Sequence, residues 1–148
     1  MKKTGIITAV YLLFISLTVN AQNYKFGLGV RLSSNDAAVN NSVSLKYFLG
    51  ESTAFEGLLS FGGPFAVGMM LEKHKPLVTD LRFFYGGGIY FAFSGTRNIG
   101  GQGVIGLDYK FPTIPINFSL DWKPELNFAK EFSFEPAAVG LSARFTLK

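Results

Sequence analysis

The sequence contains no cysteine and only one histidine, and beyond residue 21 it has no apolar run long enough to form a membrane-spanning helix. The absence of cysteine excludes disulfides and thiolate metal sites. Small exported domains often depend on disulfides for stability. If this chain is exported, its stability must come from another source, such as a closed sheet in which every backbone group is hydrogen-bonded.

Motifs for catalysis and metal binding are also missing. There is no Gly-x-Ser-x-Gly nucleophile elbow, no Cys/His cluster and no Asp-rich metal loop. The glycines at 86–88 and 100–103 lack the Lys-Ser/Thr of a phosphate-binding loop, so we interpret them as sites of sheet curvature. His74 lies between Lys73 and Lys75, and we expect a solvated turn histidine. The sequence therefore predicts no catalytic residue, no cofactor and no metal.

The first residues have the order of a secretory signal peptide. Lys2 and Lys3 precede an apolar run over residues 6–19, and Val19-Asn20-Ala21 has the small residues of a cleavage site. We predict a signal peptide over residues 1–21 and a single domain over residues 22–148. Cleavage would remove two of the lysines behind the net charge of +4, and no remaining basic cluster indicates nucleic-acid binding.

The rest of the chain alternates between apolar and polar residues. In the first segment, apolar side chains occupy every second position from Tyr24 to Leu32, with Lys25 and Arg31 on the other face. Similar alternation recurs in eight segments, at residues 24–33, 43–50, 55–61, 65–72, 81–93, 104–111, 116–123 and 138–147. Period-two patterning in an even number of short segments is typical of bacterial membrane barrels. We predict an all-β fold, an eight-stranded antiparallel transmembrane up-and-down β-barrel.

The connections between these segments are of two kinds. Short turns are predicted at residues 50–53 and 111–115 and a modest one at 73–79, whereas longer or more polar loops are predicted at residues 34–41, 96–101 and 124–136. The connection at 62–64 is a tight exception. If both termini are periplasmic, the short turns are periplasmic and the longer loops lie outside the cell, as is usual in these barrels.

The two faces of the predicted barrel carry different side chains. We expect a network of charge pairs in the lumen, formed by Lys25, Arg31, Lys46, Glu56, Glu72, Arg82, Asp108, Lys110, Asp121, Lys123 and Arg144. Within it, Lys46 should neighbour Glu56, and Glu72 should pair with Arg82. We expect lipid-facing aromatic girdles at the two membrane interfaces, formed by Tyr24, Phe26, Tyr47, Phe55, Phe61, Phe65, Phe83, Phe91, Tyr109, Phe111, Trp122 and Phe145.

Three stretches near the C-terminus are the most specific part of the sequence: residues 121–125, 134–141 and 144–148. They resemble the C-terminal hairpin of small outer-membrane β-barrel proteins from Bacteroidetes-type bacteria. The alternation over residues 24–148 resembles the eight-stranded group related to outer-membrane protein A and outer-membrane protein X. The resemblance implies location in the outer membrane of a Gram-negative bacterium, contact with its lipid and lipopolysaccharide, and insertion by the barrel-assembly machinery. In that group the last strand usually ends in an aromatic residue, whereas here three residues follow Phe145.

Several functions fit this architecture. We expect a non-enzymatic outer-membrane barrel that is structural or binds surface partners through its outer loops, with the ligand unidentified. A narrow channel for small solutes, a lipid-modifying outer-membrane enzyme and a soluble periplasmic lipocalin-like binding protein are the alternatives.

Overall fold

A computed structural model describes residues 24–33, 37–61, 65–93, 99–129, 132–136 and 138–148. The predicted signal peptide lies outside the described residues, as do parts of several connections. Across the described part of the chain, every regular element is a β-strand, and no helix is long and apolar enough to cross a membrane.

The described residues form ten β-strands, each of which lies within or next to a predicted segment or loop. They are β1 (Phe26–Ser33), β2 (Ser42–Phe48), β3 (Thr53–Ser60), β4 (Ala66–Val78), β5 (Leu81–Ala92), β6 (Ile99–Lys110), β7 (Ile116–Trp122), β8 (Glu125–Asn127), β9 (Ser133–Glu135) and β10 (Val139–Leu147).

The strands form one closed antiparallel barrel. Successive strands pair from β1 to β7, β7 pairs with β10, and β10 returns to β1. Both β7 and β8 pair with β6 in continuous register, and β8 pairs with β9, so β7–β8 and β9–β10 each act as one interrupted strand. Pro124 lies at the first interruption, where it cannot donate a ladder hydrogen bond. The predicted all-β, eight-stranded antiparallel barrel is confirmed, whereas its placement in a membrane stays a prediction.

Along most of each strand, side chains alternate between the barrel interior and its outer surface. In β2, every second residue from Ser42 to Phe48 is buried and the residues between are exposed. The same inward and outward faces are found where the sequence predicted them in the other strands. The alternation fails at the bend before β1: Tyr24 is partly buried and Lys25 is exposed, the reverse of the prediction, because regular strand geometry begins only at Phe26.

Two predicted connections are partly strand. The predicted turn at 73–79 is wrong, because β4 continues to Val78 and the turn is limited to Thr79 and Asp80. The loop predicted at 124–136 contains β8 and β9. In β4 the alternation continues through Lys73, His74 and Lys75, and in β8 the buried Glu125 and Asn127 flank Leu126. Apolar periodicity does not reveal these residues as strand, because the inward positions are polar or charged.

Close backbone approach explains two of the interior glycines. A Cβ at Gly29 would overlap the carbonyl oxygen of Ala143, and one at Gly88 would overlap that of Met69. A side chain at either position would force neighbouring strands apart. These glycines therefore permit the tight curvature that a small closed barrel needs.

Candidate functional site

The centre of the barrel interior is organised around the buried guanidinium of Arg144. Its Nε donates to Ser44 Oγ at 2.6 Å, and its Nη1 donates to Asn117 Oδ1 at 3.2 Å and to Ser119 Oγ. Its Nη2 forms a short ion pair with Glu56 Oε1. These partners come from β2, β3 and β7, so one arginine of β10 joins four strands through charge-assisted hydrogen bonds.

A second group of charges adjoins Glu56. Lys46 Nζ lies 2.8 Å from Glu72 Oε2, 4.0 Å from Glu56 Oε2, and 4.5 Å from the centre of the Phe84 ring. The strand register places Lys46 directly opposite Glu56, as expected, but its closer carboxylate is that of Glu72. His74 Nε2 also lies 2.9 Å from Glu72 Oε2. Together with the pair between Arg144 and Glu56, these contacts form a chain in which two cationic side chains alternate with two carboxyl groups: Arg144, Glu56, Lys46 and Glu72.

The predicted pair between Glu72 and Arg82 is wrong. Glu72 lies opposite Gly86 in the register, and it forms an ion pair with Lys46 and a hydrogen bond with His74. Arg82 lies opposite Asp108 on β6 instead. The error follows from the predicted turn, because β4 continues to Val78 and the longer strand moves the register away from the assumed hairpin.

A separate buried ion pair links Arg31 on β1 to Asp121 on β7. The Arg31 Nη2 and Asp121 Oδ1 atoms are 2.6 Å apart, and the Arg31 Nε donates to both carboxylate oxygens at 3.2 Å. Strand β10 lies between these two strands. The guanidinium crosses it over Gly140, where any Cβ would overlap the arginine. Glycine at 140 is thus required by the ion pair.

One end of the interior is closed by the segment between β1 and β2. Ala37, Ala38 and Val39 are buried, and the backbone amides of Ala38 and Val39 donate to the Glu125 carboxylate at 2.8 and 3.2 Å. Glu125 is held in turn by Lys123 Nζ at 2.5 Å. We call residues 37–39 the plug segment. Because its amides bind a buried carboxylate, it lies across the end of the lumen instead of extending outward.

Apolar side chains fill the part of the interior beneath the plug segment. The cluster joins the plug to strands β3 to β6, and its members are Ala38, Val39, Leu58, Ala66, Met70, Phe84, Tyr90, Ala92 and Val104. The interior therefore has an apolar side and a charged side. Both sides of the interior are occupied by the side chains of the described residues.

The opposite end is covered by aromatic rings. The Tyr24 hydroxyl donates to Asp108 Oδ2 at 3.3 Å, and the Tyr24 ring packs edge-on against Phe48 with centroids 5.0 Å apart. Burial, reinforced by the Asp108 charge, raises the pKa of the Tyr24 phenol well above its usual range, so it remains a neutral donor. A pocket of about 320 Å³ opens beside these rings, lined also by Lys25, Arg82 and the turn at 49–51.

Two charged residues predicted for the lumen network lie elsewhere. Lys25 is exposed, with its Nζ 5.8 Å from the centre of the outward-facing Tyr47 ring. Lys110 is partly exposed and donates to the carbonyl oxygens of Phe111 and Ile114 at 2.6 and 2.8 Å, which closes the turn after β6. The remaining predicted members are buried or partly buried in the interior: Arg31, Lys46, Glu56, Glu72, Arg82, Asp108, Asp121, Lys123 and Arg144.

The prediction of a solvated turn histidine is wrong. His74 lies within β4, is almost completely buried, and stacks on Phe84 with ring centroids 5.1 Å apart. Phe48 packs on it edge-on at 4.9 Å. Lysines on both sides suggested exposure, but alternation turns Lys73 and Lys75 outward and His74 inward. Within the described ranges, no group of three His, Asp or Glu residues is placed to hold a metal ion.

The predicted girdle residues lie on the outer surface, apart from Tyr24. Those that are exposed or partly exposed on the outward face are Phe26, Tyr47, Phe55, Phe61, Phe65, Phe83, Phe91, Tyr109, Phe111, Trp122 and Phe145. Tyr24 is the correction, since it turns inward at the bend and covers the lumen. Whether the outer rings contact lipid stays a prediction.

The plug and its carboxylate are the features that sequence reasoning missed. Ala37, Ala38 and Val39 form a short apolar run inside a predicted polar loop, and that run was the available signal. Glu125 follows Pro124 inside the predicted loop at residues 124–136, so the sequence pattern does not indicate that its side chain points inward.

No known protein family, curated protein or solved structure matches the chain.

Proposed function

We propose that the protein is an integral β-barrel of the outer membrane of a Gram-negative bacterium, of the small Bacteroidetes type, with a structural or surface-binding role. The observation that carries the proposal is the reversed polarity of the barrel. Buried charges fill the centre, whereas large apolar side chains such as Leu120 and Leu141, each 53% exposed, cover the outside. A water-soluble barrel buries its apolar residues and exposes its charges.

A lipid environment would remove the free-energy cost of exposing these apolar side chains. In water, the exposed leucine, isoleucine and aromatic side chains would form a continuous apolar surface, far larger than a soluble monomer exposes. In a bilayer the same surface contacts hydrocarbon, and the closed sheet leaves no unpaired strand edge in the apolar region. The amino-terminal sequence pattern supports export, and the resemblance of residues 121–148 supports an outer-membrane location.

The filled interior favours a structural or binding role over a channel. Arg144, Lys46 and Arg31 are each held by carboxylates, the apolar cluster fills the other side, and the plug segment covers one end. An eight-stranded barrel has an interior just wide enough for side chains. Ion conduction would require several of these contacts to break together.

An enzymatic role has less support. The one histidine is enclosed by Phe48 and Phe84, and its Nε2 contacts Glu72. Substrate at the outer surface could not reach this ring without opening the barrel. If the protein is nevertheless a lipid-modifying enzyme dependent on this ring, His74→Ala should abolish activity while leaving the folded barrel detectable.

The β8–β9 hairpin is the candidate contact surface for partners. It lies at the plugged end and exposes the rings of Phe128, Phe132 and Phe134, of which Phe132 is the most exposed at 76%. Aromatic side chains are enriched where proteins bind partners, so this hairpin supports a role at the cell surface.

Membrane fractionation with a gel-shift measurement tests the proposal. Outer membranes should contain the protein after washing with alkaline carbonate, and unboiled samples should migrate differently from boiled ones because a closed barrel resists detergent. Recovery in the soluble periplasm with no gel shift would overturn the proposal and favour a lipocalin-like binder. Conductance steps from the purified protein in planar bilayers would favour a channel.

Cysteine labelling tests which end faces outward. The natural chain has no cysteine, so Ala129→Cys on the β8–β9 turn and Ser52→Cys on the opposite end each introduce a single thiol. On intact cells, a membrane-impermeant maleimide should label Ala129→Cys and should label Ser52→Cys only after lysis. The proposed orientation has the plugged end outside the cell and the opposite end in the periplasm, and the reverse labelling pattern would contradict it.

A further inference from the structure

The two ends of the barrel differ in charge. At the end that holds Tyr24 and Leu147, the described charged residues that are at least partly exposed are six cations and two acids: Lys25, Lys73, Lys75, Arg82, Lys110, Lys148, Glu51 and Asp80. At the plugged end, Lys123 and Glu125 neutralise each other in the interior, and among the residues described there only Glu135 adds a further charge. Among the described residues, the excess positive charge is therefore confined to one end.

Three of these cations form an arc on the outer surface, which we call the lysine collar: Lys25, Lys73 and Lys75. Each is exposed. The Lys75 Nζ lies 5.7 Å from the centre of the Tyr85 ring, and Lys73 Nζ donates to Thr53 Oγ1 at 2.6 Å. With Lys25 above Tyr47, the collar spans the strands from β1 to β5.

The collar lies toward one end of the apolar belt. On β4 the outward positions run from Val67 through Met69 and Leu71 to Lys73 and Lys75, and the exposed Leu77 follows them, so the cations interrupt the apolar face near the end of the strand. Aromatic rings beside the ammonium groups are the side chains that favour a membrane–water interface. Ammonium groups at this level would meet the phosphates of lipid headgroups.

We propose that the lysine collar binds the phosphate headgroups of anionic glycerophospholipids in the leaflet at this end of the barrel. The inference rests on the proposed membrane location and adds the class of lipid. Each lysine near an anionic surface contributes about 1 kcal/mol, or about a fivefold preference, and salt screens the attraction. The rings of Tyr47 and Tyr85 limit where the ammonium groups of Lys25 and Lys75 lie. These two ammonium groups are therefore held close to the end of the apolar belt.

Lipid selectivity measured by spin-label electron resonance tests the collar. The full-length chain is refolded into phosphatidylcholine vesicles that contain a trace of spin-labelled phosphatidylglycerol or phosphatidylcholine. The protein should immobilise the phosphatidylglycerol label with at least a fivefold higher association constant. The combined variant Lys25→Gln, Lys73→Gln, Lys75→Gln should bring the two lipids to parity, and about 1 M salt should do the same to the natural protein.

The matched control replaces the same three lysines with arginine. This variant keeps the charges and should retain the phosphatidylglycerol preference, and all variants must show the boiled-against-unboiled gel shift. A glutamine variant that keeps full selectivity, or a natural protein that shows none although it is inserted, overturns the collar. Loss of selectivity on adding inorganic phosphate at constant ionic strength, or a stronger preference for lipid A, overturns it as well. Failure to insert at all would instead overturn the proposed function.

Discussion

The inner and outer faces of this barrel are built from alternate residues of the same strands, yet their environments are opposite. Ser119 points inward, is 2% exposed and is bonded to Arg144, while its neighbour Leu120 points outward and is 53% exposed. The difference shows that a shift of one residue would move a charge network into the surroundings and an apolar belt into the interior. The strand register is therefore strongly specified by both faces together.

Among the changes that test the two faces, removal of Arg144 from the interior should lower the free energy of unfolding the most. Arg144→Ala would leave Glu56 buried without its closest cation, and we expect a loss of about 3–5 kcal/mol in the free energy of unfolding, measured by urea titration in vesicles. The double variant Glu56→Ala, Arg144→Ala should lose less than the sum of the two single variants, because they share one ion pair. Additive losses would show that the pair contributes no coupling energy.

A charge placed on the outer face should have the next largest effect. Leu120 lies between Leu107 and Leu141 on neighbouring strands, in the middle of the apolar belt. Leu120→Arg should lower the free energy of unfolding in vesicles by about 2–4 kcal/mol, because the guanidinium would face hydrocarbon. Leu120→Ala is the control, since it removes apolar area without adding charge. Equal losses in the two variants would argue against lipid at this position.

Replacement of Glu125, which holds the plug segment, tests whether one end of the barrel is closed by this contact. Glu125→Ala removes the acceptor of the Ala38 and Val39 amides and leaves Lys123 without its carboxylate. We therefore expect the free energy of unfolding to fall by about 1–3 kcal/mol. In an Ala38→Cys background, maleimide should react at least ten times faster after this change.

The control for the plug is Glu135→Ala. Glu135 lies directly opposite Glu125 on β9 but is partly exposed, and its replacement should leave the labelling rate of the same cysteine unchanged. Equal acceleration by both variants would mean that general loosening of the hairpin, not loss of the carboxylate, frees the plug.

The smallest effect is expected when one interior serine is compared with another. Ser142→Ala should change the free energy of unfolding by no more than about 0.5 kcal/mol, because its buried hydroxyl has no hydrogen-bond partner among the described residues. Ser44→Ala should cost about 1–3 kcal/mol, because its hydroxyl links Arg144 to Glu56. The same urea titration compares them, and similar values would show that the serine–arginine contact has little energetic weight.

Much of the architecture could be predicted because period-two patterning is a local property. Each strand carries its own inward and outward face, so the eight segments and the direction of Arg31, Lys46 and Arg144 follow from alternation alone. The prediction failed where local geometry changes: at the bend that exchanges Tyr24 and Lys25, and in β4, where charged residues continue the strand through His74.

The sequence by itself determined the strand count, the two faces and the charged character of the interior, because these depend only on which residues alternate. The tertiary structure decided the pairings. Glu72 meets Lys46 and His74 instead of Arg82, Arg31 crosses Gly140 to reach Asp121, and residues 37–39 turn inward to a carboxylate. Contacts of this kind depend on how strands far apart in sequence are brought across a closed barrel, and no local pattern encodes that distance.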